Sequence, residues 1–232
     1  MPATSKVEKK KGDRKPYHHA LLKESLIDTA IRLTTERDGP DFSLRELATA
    51  LGVSHTAVYR HFTDKDALLD ELTQRGFAEL SAAQKAAQTR AGSAPLDQLR
   101  ALCTAYVGFA RDVPGYFALM FHSRPGSPRV ALGRDVHNSD PLMRLVGTIR
   151  ACQEAGDIIA GDPERIAAYI ALAPHGMCSY VARGHVPAFI ARQHDSLDET
   201  AAWIAEIGID PFLTNRMPAD RFAAYFAAEP RG

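Results

Sequence analysis

SLRELATALGVSHTAVYRHFTDKDALLD, residues 43 to 70, is the stretch whose reading decides the fold. Ser43 is followed three positions later by Glu46, the pattern in which a serine hydroxyl and a glutamate carboxylate each accept from an orphan backbone N–H at a helix start. A helix is therefore expected from Leu44 to near Gly52, the residue type that a tight inter-helix turn favours. A shorter one should run from about Ser54 to Phe62. Thr63 is the expected N-cap of the next helix, with Asp64 and Asp66 suited to its positive end. That next helix carries Ala67, Leu68, Leu69, Leu72, Phe77 and Leu80 and should reach the break at Thr89 to Pro95.

Working outward, apolar residues return every three to four positions from Ala20 onward and no alternating β-branched run occurs, so the fold class is all-α. Upstream, Leu22, Leu26, Ala30 and Leu33 line one face of a helix that Gly39-Pro40 stops. Downstream, helices are expected at about 97–111, 114–122, 140–156, 162–184 and 197–208, separated by proline and glycine signals. Ser123 to Asn138 lacks helical periodicity and reads as a loop. A short helix is expected around Arg221 to Phe226. No internal repeat is evident.

The three helices up to Phe62 have the make-up of a helix-turn-helix, in which one helix braces another whose exposed side chains enter the major groove of DNA. The packing face is met by Leu44, Leu47, Ala48, Leu51, Val53, Val58 and Phe62. The other face of the third helix offers Ser54, His55, Thr56, Tyr59, Arg60 and His61 to phosphates and base edges. His55 lies where its imidazole would meet a base edge, the alternatives being a phosphate contact or none. Arg45 and Arg60 are candidates for phosphate or groove contact, set against the plainer reading of solvated arginines.

Taken together, Ser43, Leu47-Ala48, Gly52-Val53-Ser54, the run Val58 to Phe62, and Lys65 with Leu68-Leu69 resemble the DNA-binding signature of TetR/AcrR-family regulators. The resemblance implies that Ser54, His55, Thr56 and Ala57 begin the recognition helix, that Tyr59 and His61 reach the DNA backbone, and that Lys65 binds phosphate. Physics agrees for Lys65, because a helix N-terminus with a lysine favours an anion. Residues 114–121 and Ala173 to Gly176 are similar to the subgroup named for a Trp-His-Gly signature, with proline here in place of tryptophan. The organisation implied is a flexible basic arm (1–19), a helix-turn-helix domain (20–66), a helical ligand-binding and dimerisation domain (67–213) and a C-terminal tail (214–232). Such a protein is expected to bind a palindromic double-stranded operator as a homodimer and to release it to a small molecule. The dimer is expected to use the helices at 162–184 and 197–208, bearing Ile166, Tyr169, Ile170, Val181, Trp203, Ile204 and Ile207, although burial within one chain reads equally well.

Pro174 falls inside the helix at 162–184 and should kink it between Ile170 and His175, since proline removes one backbone bond and clashes with the preceding turn. A kink can wall a cavity. His175, Met177 and Tyr180 therefore join Tyr106, Phe109, Phe117, Met120, Phe121 and Met143 as candidate pocket residues, each also compatible with plain core packing.

Composition narrows the functional classes. The 232 residues carry a formal net charge of +0, so DNA binding has to be local rather than driven by bulk charge. Lys6, Lys9, Lys10, Lys11, Arg14 and Lys15 make the beginning basic, either as a solubilising tail or as an arm on phosphates or a minor groove. No run approaches the length of a membrane span and no secretory signal is visible, so a cytoplasmic protein without membrane contact is expected. Cys103, Cys152 and Cys178 read as packed thiols. His175 and Cys178 have no convincing partners for a metal, and neither have His18-His19, so no metal or cofactor is expected. Nucleophile, Walker and paired-carboxylate motifs are absent, which argues against an enzyme. Two rivals remain: a DNA-binding activator or architectural protein without inducer, and a ligand carrier or enzyme on the same helical scaffold.

Overall fold

The computed structural model describes residues 14–121, 140–191 and 194–215. Ten helices lie among them: α1 (Arg14–Glu36), α2 (Leu44–Leu51), α3 (His55–Tyr59), α4 (Lys65–Ala91), α5 (Pro95–Asp112), α6 (Pro114–Phe121), α7 (Asp140–Glu154), α8 (Pro163–Val181), α9 (Ala188–Ala191) and α10 (Leu197–Ile209). The fold is all-α. The basic stretch before Arg14, the segment 123–138 and the tail helix near 221–226 lie outside the described residues.

Helix starts follow local chemistry. Pro95 and Pro163 stand in the first turns of α5 and α8, where a missing N–H costs nothing. Ser196 caps α10 by accepting from the Glu199 amide at 3.1 Å. α1 is already helical at Arg14, the first described residue, before the apolar periodicity sets in at Ala20. For α4 the cap falls one residue later than the sequence suggests. Asp64 accepts from the Ala67 amide at 2.7 Å, while the Thr63 hydroxyl donates to Asp64. An acidic side chain at a helix N-terminus satisfies an orphan donor and meets the dipole at once, which a threonine does only in part.

The chain divides into two compact units, residues 1–70 and 71–232, with the division inside α4. In the first, Leu26, Ile27 and Ala30 of α1 are buried with Leu47 and Ala48 of α2, Val58 of α3 and Phe62. In the second, α5 supplies residues to two buried clusters. Leu99, Leu102 and Cys103 join Ile149, Ile166, Ile170 and Ile209 in one, whereas Val107 and Phe109 join Leu80, Phe117, Met120 and Met177 in the other. An isolated antiparallel bridge between Ile158 and Leu213 ties the turn before α8 to the segment after α10.

α8 is continuous across Pro174. The proline removes one rung of its ladder without ending it, and the carbonyl that loses its helical donor is that of Ile170. α10 approaches α8 closely at this point: a Cβ added to Gly208 would sit 3.0 Å from the Ile170 carbonyl oxygen. The missing side chain permits the approach. Gly208→Ala is expected to push α10 off α8 and to lower stability by about 1–3 kcal/mol, the usual range for overpacking. Urea unfolding checks it, and a midpoint equal to that of the unaltered protein would show that α10 yields freely.

Candidate functional site

The first unit presents α3 from a rigid base. Ser43 and Glu46 form the expected reciprocal cap of α2: the Glu46 amide donates to Ser43 Oγ at 3.2 Å and the Ser43 amide to Glu46 Oε2 at 2.7 Å. Arg37, which sequence reasoning passed over, donates to Glu46 Oε1 at 3.2 Å and also to the Asp41 carbonyl, so it braces the chain between α1 and α2. The backbone bond from Ser43, then its hydroxyl, then Arg37 hold the Glu46 carboxyl below the usual glutamate range. A carboxyl lowered on folding favours the fold above its unfolded pKa, so the cap is intact at neutral pH and is lost as pH falls through the acid range.

Gly52 closes α2 in the left-handed region at φ 65° and ψ 29°, and its amide donates back to Ala48 and Thr49. Nothing lies within 4 Å of a Cβ added there, so the backbone angle and not space calls for glycine. The chain then enters α3, whose cap Ser54 accepts from the Ala57 amide at 3.2 Å. α3 is only five residues long, shorter than the sequence pattern suggests, because its ladder closes on Val58, whose carbonyl accepts from both the His61 and Phe62 amides.

Burial sorts the candidate DNA-binding residues. Ser43, Arg45, Ser54, His55, Thr56, Tyr59 and Arg60 are exposed, Ala57 and His61 are half-buried, and Val58 and Phe62 beneath them are buried. Lys65 is half-buried as well. Its ammonium donates to the Pro40 carbonyl at 2.6 Å and lies 4.8 Å from the centre of the Phe42 ring. This tether fixes the ammonium in the first turn of α4.

The second unit holds a cavity of about 220 Å³. Of the nine candidate pocket residues, Tyr106, Phe121 and His175 line it. Phe109, Phe117, Met120 and Met177 are instead buried in the adjoining core, and Met143 and Tyr180 are exposed. Among the cavity residues that sequence reasoning missed are Phe77, Leu80 and Gln84 of α4, Leu102 and Cys103 of α5, and Leu145 of α7. Tyr106 and His175 form a pair, with the hydroxyl 2.8 Å from Nδ1 and the rings stacked. Cys178, read with His175 as a weak metal pair, donates its thiol to the Tyr106 carbonyl at 3.6 Å.

Of the residues expected at a subunit interface, Ile166, Ile170 and Val181 are buried within the unit. Trp203, Ile204 and Ile207 are half-buried and Tyr169 is exposed. Among the described residues no helix is long and apolar enough to cross a membrane.

Comparison with known proteins agrees with this geometry. Residues 26–72 match the family described as bacterial regulatory proteins of the tetR type, and residues 99–204 match a tetracyclin repressor-like C-terminal domain. A protein of unknown function from Rhodococcus sp. RHA1 is 33% identical, with a TM-score of 0.68 over 87% of this chain and 100% of that one. A bacterial regulatory protein of the tetR family, from Rhodococcus RHA1, is 25% identical with a TM-score of 0.64, covering 82% of this chain and 95% of the other. The TetR family transcriptional regulator PfmR from Thermus thermophilus shares the fold at 23% identity and a TM-score of 0.59, over 79% of this chain and 93% of its own.

Proposed function

The chain belongs to the tetR family of bacterial regulatory proteins, and on that premise we propose that it is a dimeric repressor that holds a palindromic operator until a small molecule occupies the cavity of its second unit. The observation that carries this reading is the face of α3. Five exposed polar or aromatic residues, Ser54, His55, Thr56, Tyr59 and Arg60, stand over a buried Val58 and Phe62, with Lys65 fixed beside them. Such a face can enter a major groove without disturbing its own support.

A single short helix reads few base pairs, and two-fold partners reading half-sites about 34 Å apart supply the specificity that one lacks. An apolar strip on α8 supports a partner: Tyr169 is 64% exposed and Leu172 66%. The effector acts by binding better to a state whose two recognition helices no longer match the groove spacing, and its differential affinity sets the size of the response. α4 carries both Lys65 and the cavity residues Phe77 and Leu80, which makes it the element through which the two sites would communicate.

Selection of bound sequences from random DNA tests the reading. The expected result is enrichment of one two-fold symmetric site, with sedimentation giving a dimer at micromolar concentration. Enrichment of no sequence would point to an architectural protein. A monomer in sedimentation, or an asymmetric site, would overturn the dimeric reading.

A further inference from the structure

We infer that the cavity of the second unit selects a small, uncharged aromatic molecule that carries a hydrogen-bond donor, and that Gln84 is the residue that reads the donor. The inference rests on the reading of this cavity as the effector site and gives the ligand a chemical class.

Three observations converge. The first is size. A cavity of about 220 Å³ is roughly half as large again as the ~150 Å³ space that accepts benzene, so it suits one substituted ring or two fused ones. The second is charge. No Lys, Arg, Asp or Glu lines the cavity among the described residues, whose walls are mainly aliphatic and aromatic. Burial pushes the Cys103 thiol up to about 12 and the Tyr106 phenol further up still, so both stay neutral at physiological pH. An ionised ligand would lose hydration there and meet no counter-charge among the described lining residues.

The third is the orphan acceptor. Gln84 lies on the buried stripe of α4, one turn beyond Leu80, and is only 6% exposed. Its Oε1 is buried and accepts no hydrogen bond among the described residues, and Gln84 is one of the residues that line the cavity. The other polar pair of the wall, Tyr106 and His175, is already engaged with itself. A buried carbonyl oxygen without a donor is costly, and a ligand O–H or N–H supplies what the protein withholds. Phe77, Tyr106 and Phe121 supply faces and edges against which a flat ring packs.

Calorimetry on the full chain, with no DNA present, tests this with three probes on one ring system: 2-naphthol, 2-methoxynaphthalene, whose oxygen is capped, and 2-naphthoate, which is ionised at pH 7. The unaltered protein is expected to bind 2-naphthol about tenfold tighter than the methyl ether, the loss of one hydrogen bond, and not to bind the carboxylate. In Gln84→Met, which keeps the length and loses the acceptor, the two neutral probes should bind alike. Gln84→Glu is the second variant. It keeps the shape and an accepting oxygen in either protonation state, so the preference for 2-naphthol over the methyl ether should persist; its loss in the folded variant would overturn the acceptor role. The proposal also fails if the unaltered protein prefers the ether or the carboxylate, if folded Gln84→Met retains the tenfold preference, or if no probe binds. Binding of 2-naphthol that leaves operator DNA in place would sink the repressor reading and leave the ligand class standing.

Discussion

Replacing Val58 with aspartate is expected to abolish DNA binding outright while leaving the helices of the second unit folded. Val58 has no solvent exposure, and its carbonyl closes α3 by accepting from the His61 and Phe62 amides. A carboxylate there would replace a fully buried apolar side chain in the unit whose buried residues include Leu47, Ala48 and Phe62, and burying a charge in apolar surroundings costs several kcal/mol. A unit of 70 residues has little reserve against such a loss, because small domains bury a smaller share of their surface. Hydrogen exchange separates the two units. Amides of α2 and α3 should exchange at nearly the solvent rate, whereas those of α5 and α8 stay protected. Operator affinity equal to that of the unaltered protein would refute this account of how α3 is held.

The second large effect is expected from Phe117→Ala. The Phe117 side chain is wholly buried, with its ring centre 4.9 Å from Phe121, 5.7 Å from His175 and 6.1 Å from Tyr106. Those three are cavity residues, so Phe117 is the layer behind the wall. Its removal costs the transfer energy of a ring plus the space left behind, about 3–5 kcal/mol. At this chain length the melting temperature should fall by roughly 6–20 °C. The neighbours also lose the contact that orders them, so 2-naphthol should bind more weakly even well below the melting temperature. A shift of less than about 2 °C would mean that the aromatic cluster closes over the gap at little cost.

The legibility of the fold varied with how local the deciding chemistry was. The α2 cap, the Gly52 turn and the starts of α5 and α8 each depend on one or two residues whose chemistry has few alternatives, so they could be read without coordinates. The choice between Thr63 and Asp64 could not, since both residue types are good caps and stand side by side. α9 escaped because the four described residues that follow Pro187 are too few to show a helical period. Three of the cavity residues were found by their aromatic or histidine character, yet character does not say which side of a helix faces a cavity and which faces a core. Phe117 and Phe121 are one turn apart on α6, and only the second reaches the cavity. Gln84 did leave a signal: it follows Leu72, Gly76 and Leu80 at intervals of four and precedes Ala87 by three, a polar side chain in a row of buried ones.

The uncharged wall of the cavity also bears on where its signal originates. Molecules neutral enough to enter it are neutral enough to dissolve in lipid, since the penalty that keeps ions out of a protein interior is the one that keeps them out of a bilayer. If the cavity is the effector site, its signal belongs to the molecules able to cross a bilayer unaided.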